Sequence, residues 1–200
     1  MKLLSHTSMR AAGIAALALA AGAAQAHTGH GTTSLFEGLV HPLGLDHLLA
    51  MVAVGVWSVA ALPANETWWG PAIFLLALVA GAAVGAMGVT APFLAHMISL
   101  SVVLFGAMLV FAHQKLPVSA GLGLVALAAS LHGLAHGAET PETDFAGYAL
   151  GFLLTTAALH FGGMVAGLGI RRYVAGKAAW VVGSLGALCS GAGVYLFSQL

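Results

Sequence analysis

Leu39-Val40-His41-Pro42-Leu43-Gly44-Leu45-Asp46-His47-Leu48-Leu49-Ala50-Met51-Val52-Ala53-Val54-Gly55-Val56-Trp57-Ser58-Val59-Ala60-Ala61-Leu62 is long enough to cross a bilayer as one helix and carries a single carboxylate. Segments of the same kind run over residues 71–89, 92–112, 118–137, 145–170 and 178–197. The connections are short, and Pro63, Pro71, Pro92, Pro117 and Pro141 fall at or beside them, where helices stop and start. The expected fold is an all-α membrane protein, a bundle of six transmembrane helices forming one domain over residues 27–200. The composition agrees. Of 200 residues, 60% are apolar and only 6% charged, with a mean hydropathy of +0.99, which leaves too little polar surface for a water-soluble domain of this size.

Ahead of the bundle, Lys2 and Arg10 precede an apolar run from Ala11 to about Ala24, and Ala24-Gln25-Ala26 is a small-x-small cleavage pattern. The run is about 14 residues, short of the roughly 20 a spanning helix needs, so residues 1–26 read as a cleaved signal peptide. The mature chain then begins His27-Thr28-Gly29-His30-Gly31 on the periplasmic side of a bacterial inner membrane. With that start, the cytoplasmic loops follow helices one, three and five. Lys115, Arg171, Arg172 and Lys177 all fall in those loops, while the outer loop 139–144 carries Glu139, Glu142 and Asp144. This obeys the positive-inside rule and puts both mature termini in the periplasm. Gly81/Gly85, Gly147/Gly151 and Gly163/Gly167 have the small-xxx-small spacing of close helix contacts.

Charge excludes some functions. Six basic and six acidic residues leave no basic face for nucleic acid. Cys189 is the sole cysteine, so neither an intrachain disulfide nor a thiolate-rich site can form. Ten histidines, however, outnumber Lys and Arg together. An ionisable group inside a span costs about 2.5–3.5 kcal/mol on insertion scales, so each is a functional candidate. Asp46 is the one acidic residue well inside a span. Counted at 1.5 Å per residue, His41, Asp46, His47, His96, His132 and His136 fall within roughly 10 Å of the outer face, and His160 lies deeper. His132 and His136 share one helix face at i, i+4 spacing, while adjacent Asp46 and His47 are expected to diverge by about 100°. Pro42 and Gly44 permit a break that folds His41 over the start of the span, and Ser34-Leu35-Phe36-Glu37 matches a capping box for a short preceding helix. Asp46 would accept an imidazole N–H and offset the repulsion of a cation by the helix dipole. Imidazole and carboxylate without thiolate suit divalent nickel, cobalt, zinc or copper. His27 and His30 are candidate docking ligands. Ser99, Ser101 and Ser130 read as helix-packing hydroxyls, so no nucleophile pairs with a histidine base and no enzyme is expected. Haem ligation is disfavoured because the i, i+4 pair cannot clamp both sides of a porphyrin.

His41-Pro42-Leu43-Gly44-Leu45-Asp46-His47-Leu48-Leu49-Ala50-Met51 and His132-Gly133-Leu134-Ala135-His136-Gly137-Ala138-Glu139 resemble the two motifs of the HupE/UreJ family. The likeness extends over essentially the whole chain, including the mature start and His160. His41, Asp46 and His47 match the His-x4-Asp-His signature of the wider nickel/cobalt transporters, whereas Leu134 stands where many relatives carry a middle histidine. The resemblance implies a secondary permease for Ni2+, with Co2+ as a second candidate cargo, that supplies hydrogenase or urease maturation proteins and carries no prosthetic group. It implies metal ligation by His41, Asp46, His47, His132 and His136. A nickel-holding accessory protein that does not transport is the alternative.

Overall fold

A computed structural model describes residues 34–114, 116–138 and 145–200. The expected signal peptide, His27, His30, Lys115 and the acidic stretch 139–144 lie outside the described residues. Every ordered element among the described residues is helical: α1 (Ser34–Val40), a 3-10 turn (His41–Leu43), α2 (Leu45–Ala61), α3 (Trp69–Ala86), α4 (Leu94–Val110), α5 (Val118–Ala138), α6 (Phe145–Tyr173), a second 3-10 turn (Ala175–Lys177) and α7 (Ala178–Ser198). Four helices, α3, α5, α6 and α7, are long and apolar enough to cross a membrane, and α1 with α2 makes a fifth if the bent pair is one span. Leu76, Leu127, Leu154 and Leu188 project outward, as they can when lipid is the solvent. Trp68 and Trp69 stack at the start of α3 with ring centroids 4.0 Å apart.

Boundaries differ from expectation where local backbone chemistry intervenes. The first segment does not run unbroken from Leu39. Pro42 sits in the 3-10 turn, Gly44 takes an extended conformation (φ −51°, ψ 141°), and α1 meets α2 at 70°. The regular helix therefore starts at Leu45. The α4 helix begins at Leu94 rather than Pro92, because Phe93 is left-handed (φ 58°, ψ 29°) and takes the chain out of helical register. Pro71 lies inside the first turn of α3, where its missing N–H leaves no acceptor wanting, and Gly88 (φ 85°) turns the chain out after Ala86.

Among the described residues, three pairs of the longer helices are joined by backbone contact at small residues. A Cβ added to Gly81 would overlap the carbonyl of Ser130, and one added to Gly133 or Gly137 would overlap the carbonyls of Leu78 or Ala82, so α3 and α5 touch main chain to main chain. Gly55 and Gly163 lock α2 to α6, and Gly106, Gly186 and Gly193 lock α4 to α7. The order of these contacts gives direction. Leu78 pairs with Gly133 and Ala82 with Gly137, so α3 and α5 are parallel; Gly55 with Gly163 and Val59 with Gly167 make α2 and α6 parallel. In contrast, Gly106 meets Ser190 while Ser99 meets Gly193, so α4 and α7 are antiparallel. Trp57 lies on Gly121 and His47 beside His132, which sets α2 against α5. Between the pairs, Met51, Val54, Phe74, Val102, Phe105 and Val125 fill a buried apolar core.

Gly81→Ala is expected to destabilise the bundle by about 1–3 kcal/mol, because its methyl meets backbone that cannot yield. Gly123→Ala, on an α5 face with nothing within 4 Å, should be neutral. Unfolding in mixed detergent micelles containing increasing SDS measures both; equal stability of the two variants would contradict the backbone contact.

Candidate metal centre

The α3/α5 seam orients two of the candidate residues. Gly133 and Gly137 press on α3, and His132 and His136 each precede one of them by a residue, about 100° around the helix. Seating the glycines against α3 thus turns both imidazoles toward α2. Both rings are buried.

On α2, the N–H of His47 belongs to the first turn and has no helical acceptor. Asp46 Oδ1 accepts it at 2.8 Å and also lies 2.7 Å from His47 Nδ1. The expected divergence of these adjacent side chains is therefore corrected: at a helix start the carboxylate folds along the backbone toward the free N–H and so reaches the ring. Gly44 makes room, since a Cβ there would sit 3.2 Å from Asp46 Oδ1 and 3.5 Å from the His41 carbonyl. A carboxylate only accepts, so Nδ1 carries the hydrogen and the lone pair of the neutral His47 ring lies on Nε2. That Nε2 is 2.6 Å from Nε2 of His136. Only a shared hydrogen suits so short a separation. Two nitrogens on one ion, with bonds of about 2.0–2.1 Å, stand roughly 2.9–3.4 Å apart, so the rings need to part by only a fraction of an ångström to accept one.

His41 completes the group from the 3-10 turn. Its ring centroid is 4.7 Å from that of His136 and 5.9 Å from that of His47. One ligand atom from each of His41, His47 and His136 lies within 4.8 Å of the others. The turn is held by docking of α1 on α6, where Gly38 and Gly151 let the backbones meet and Thr155 Oγ1 donates to the Leu39 carbonyl at 2.9 Å. Phe152 walls the cluster 4.4 Å from His136, and Tyr148 lies 5.9 Å from His41.

The remaining candidates are distributed differently. His132 stands beside His47 at 4.8 Å between centroids but is not one of the three converging ligands; its Nε2 lies 2.7 Å from Ser101 Oγ. Ser101, read from sequence as a packing hydroxyl, is therefore a partner of the site, and helical depth counting on α4 is the signal that could have found it. His160 is buried deeper, against Phe74 and with Nδ1 2.8 Å from the Thr156 carbonyl. His96 is not gathered into the cluster: it sits between Phe93 and Phe197 at one end of α4 and α7, with its neighbour-ring centroids 5.8 and 5.0 Å away. Tyr148, Phe152 and Phe74 were not anticipated, since aromatic residues in apolar helices carry no spacing signal.

The donor set is three imidazoles with an anchoring carboxylate. Cys189 is buried and directed at the Val102 carbonyl, so the cluster offers nitrogen and oxygen to a borderline divalent ion and no thiolate.

Comparison with known proteins follows the same line. The model of the family described as HupE / UreJ protein matches residues 15–196. Protein HupE of Rhizobium leguminosarum bv. viciae is 38% identical over 171 residues, covering 84% of this chain and 86% of the relative. No solved structure matches.

With Ni2+ as the probe ion for this candidate centre, Asp46→Asn is expected to keep the fold and weaken the tightest binding by about 10–100-fold, the usual effect of losing a ligand's carboxylate anchor. His136→Ala should remove that tight class altogether. Titration calorimetry on protein in lipid nanodiscs reads both, and undiminished affinity in Asp46→Asn would mean that the carboxylate does not orient a ligand.

Proposed function

The chain belongs to the HupE/UreJ family, and from that premise we propose that it is a secondary permease that carries Ni2+ across the bacterial inner membrane into the cytoplasm, for delivery to hydrogenase or urease maturation. The observation that carries this reading is the convergence of His41, His47 and His136 at one end of a lipid-solvated bundle, with Asp46 anchoring His47. The family resemblance, to proteins associated with nickel hydrogenases and ureases, favours nickel over cobalt as cargo.

We read α2 to α7 as six crossings. Their directions alternate in chain order, and α4, at 17 residues, rises about 26 Å, close to the hydrocarbon thickness. Exposed Arg171, Arg172 and Lys177 lie at the end opposite His41, His47 and His136, and by the positive-inside rule this supports reading the cluster as a periplasmic mouth with both ends of the bundle on that side. Nickel is the substrate and there is no prosthetic group. A hydrated ion arriving at this mouth exchanges water for imidazole nitrogens. The adjacent carboxylate leaves the loaded centre with less net charge than three neutral ligands alone would, which lowers the cost of holding a divalent ion where little water remains. Weak, successive ligation suits a carrier, since an ion held too well would not leave.

Uptake of radioactive nickel into cells lacking other nickel permeases tests the proposal. Wild type should accumulate nickel, His47→Ala should fall to background, and Asp46→Asn should retain a small fraction. Excess Co2+ in the same assay reports selectivity. Wild-type uptake at normal rates in His47→Ala cells would remove the mechanism, and no uptake by well-expressed wild type would leave a nickel-holding accessory role.

A further inference from the structure

At the end of the bundle away from the histidine cluster, α2, α6 and α7 enclose a cavity of about 300 Å³ below the end of α4. Its walls are of two kinds. Val59, Leu62, Ile170 and Val182 make most of the lining apolar. Arg171, in the last turn of α6, and His113, three residues beyond α4, bring nitrogen donors to the same space. None of the described residues that line it is acidic. Both basic side chains are exposed, and neither has an ion-pair or hydrogen-bond partner among the described residues.

Membrane topology alone does not explain this placement. A basic residue anywhere in the loop serves the positive-inside rule, and Arg172 serves it from outside the cavity, its guanidinium 5.6 Å from the centroid of the Tyr173 ring. Arg171, one position earlier and about 100° around the helix, is turned into the lining instead. A guanidinium presents paired N–H groups that match two phosphate oxygens, and an imidazole donates an N–H in either charge state. A small inorganic anion would meet hydrocarbon on the remaining sides and lose its hydration there without replacement. An amphipathic anion matches both kinds of wall, and basic pockets between helices on the cytoplasmic side of a membrane are suited to anionic lipid head groups.

We propose that this cavity holds one anionic phospholipid of the cytoplasmic leaflet, with its phosphate on Arg171 and His113 and its glycerol and first methylenes against Val59, Ile170 and Val182. A zwitterionic lipid is disfavoured, because its ammonium would be brought among Arg171, Arg172 and Lys177 with no acidic side chain in the lining to receive it. The lipid joins the ends of α2, α6 and α7, which meet at this cavity, to the chain leaving α4. The inference rests on the orientation of the bundle read above, and it is independent of nickel as cargo.

The test uses the full chain in nanodiscs of equal parts phosphatidylglycerol and phosphatidylcholine with the same acyl chains. The protein is released into mild detergent, and the lipid it retains is identified and counted by native mass spectrometry. Wild type should keep one phosphatidylglycerol per chain in preference to phosphatidylcholine. Arg171→Gln should lower that retention roughly fivefold or more, the usual effect of one basic residue near an anionic head group, and Arg171→Lys should lower it less. Arg172→Gln removes the same charge one residue away and should retain the lipid as wild type does. Equal retention in Arg171→Gln and Arg172→Gln overturns the cavity as the site, and a wild type without preference between the two lipids overturns the anionic ligand. Displacement of phosphatidylglycerol by millimolar inorganic phosphate overturns the lipid in favour of a free-anion site. Should Arg171→Gln lose the helical ellipticity of wild type, His113→Leu is compared with Arg172→Gln, and equal retention in those two overturns the site. Orientation is read separately with Lys177→Cys and a membrane-impermeant maleimide: labelling in spheroplasts rather than in inverted vesicles overturns the leaflet named here, while the retained lipid still decides whether the cavity binds one.

Discussion

An imidazole inside a lipid-solvated bundle must give its N–H to an acceptor supplied by the protein, because no water is at hand to take it. Much of the polar structure here follows from that requirement. His47 gives its hydrogen to Asp46, and Ser101 and the Thr156 carbonyl take those of His132 and His160. Each acceptor is within reach for a local reason: a carboxylate folded onto a helix start, a hydroxyl on the neighbouring helix, a carbonyl one turn back. By satisfying one nitrogen, each leaves the other as the basic one: that of His47 meets His136, and those of His132 and His160 have no hydrogen-bond partner among the described residues. The same pairing that makes these rings tolerable in the membrane fixes which nitrogen of each is basic.

Glycine packing sets where those rings stand. In a bilayer there is no hydrophobic force between apolar helices, so close backbone approach and good van der Waals contact must hold them. The seams at Gly81 and Gly133, Gly55 and Gly163, and Gly106 and Gly186 do this, and each seam also fixes the rotation of its helices. Histidines one residue away from a seam glycine are carried to a defined azimuth. The chemistry of α5 thus depends on its contact with α3, a helix that contributes no ligand to the outer group.

The break at Pro42 and Gly44 has a separate role. A straight helix would send residue 41 up and out of the bundle, about 1.7 turns beyond His47. The bend of 70° returns it over the mouth, and α1 is held there by α6. Placing one ligand on an irregular turn and two on regular helices joins a rigid pair to a residue whose position depends on a short docked segment. Irregular backbone at membrane depth is tolerated where it lines a site, and this turn does so.

Much of this was legible in the sequence. The helical class, the apolar segments, the break near Pro42 and the depth of the polar layer follow from composition, periodicity and the few ionisable groups, because each depends on neighbours in the chain or on the cost of burial, whereas the fold of the Asp46 carboxylate onto His47 was not expected from regular helix geometry. The family, too, is carried by short motifs. What tertiary structure alone decided is which ring meets which. His41 and His136 join His47 while His132 turns to Ser101, and His96 goes to Phe93 and Phe197, although all were expected in one layer. Depth along a helix is a count of residues, and the sequence contains it. Azimuth within a bundle is set by glycine contacts between segments far apart in the chain, and no local pattern on one helix records which face its neighbour will press.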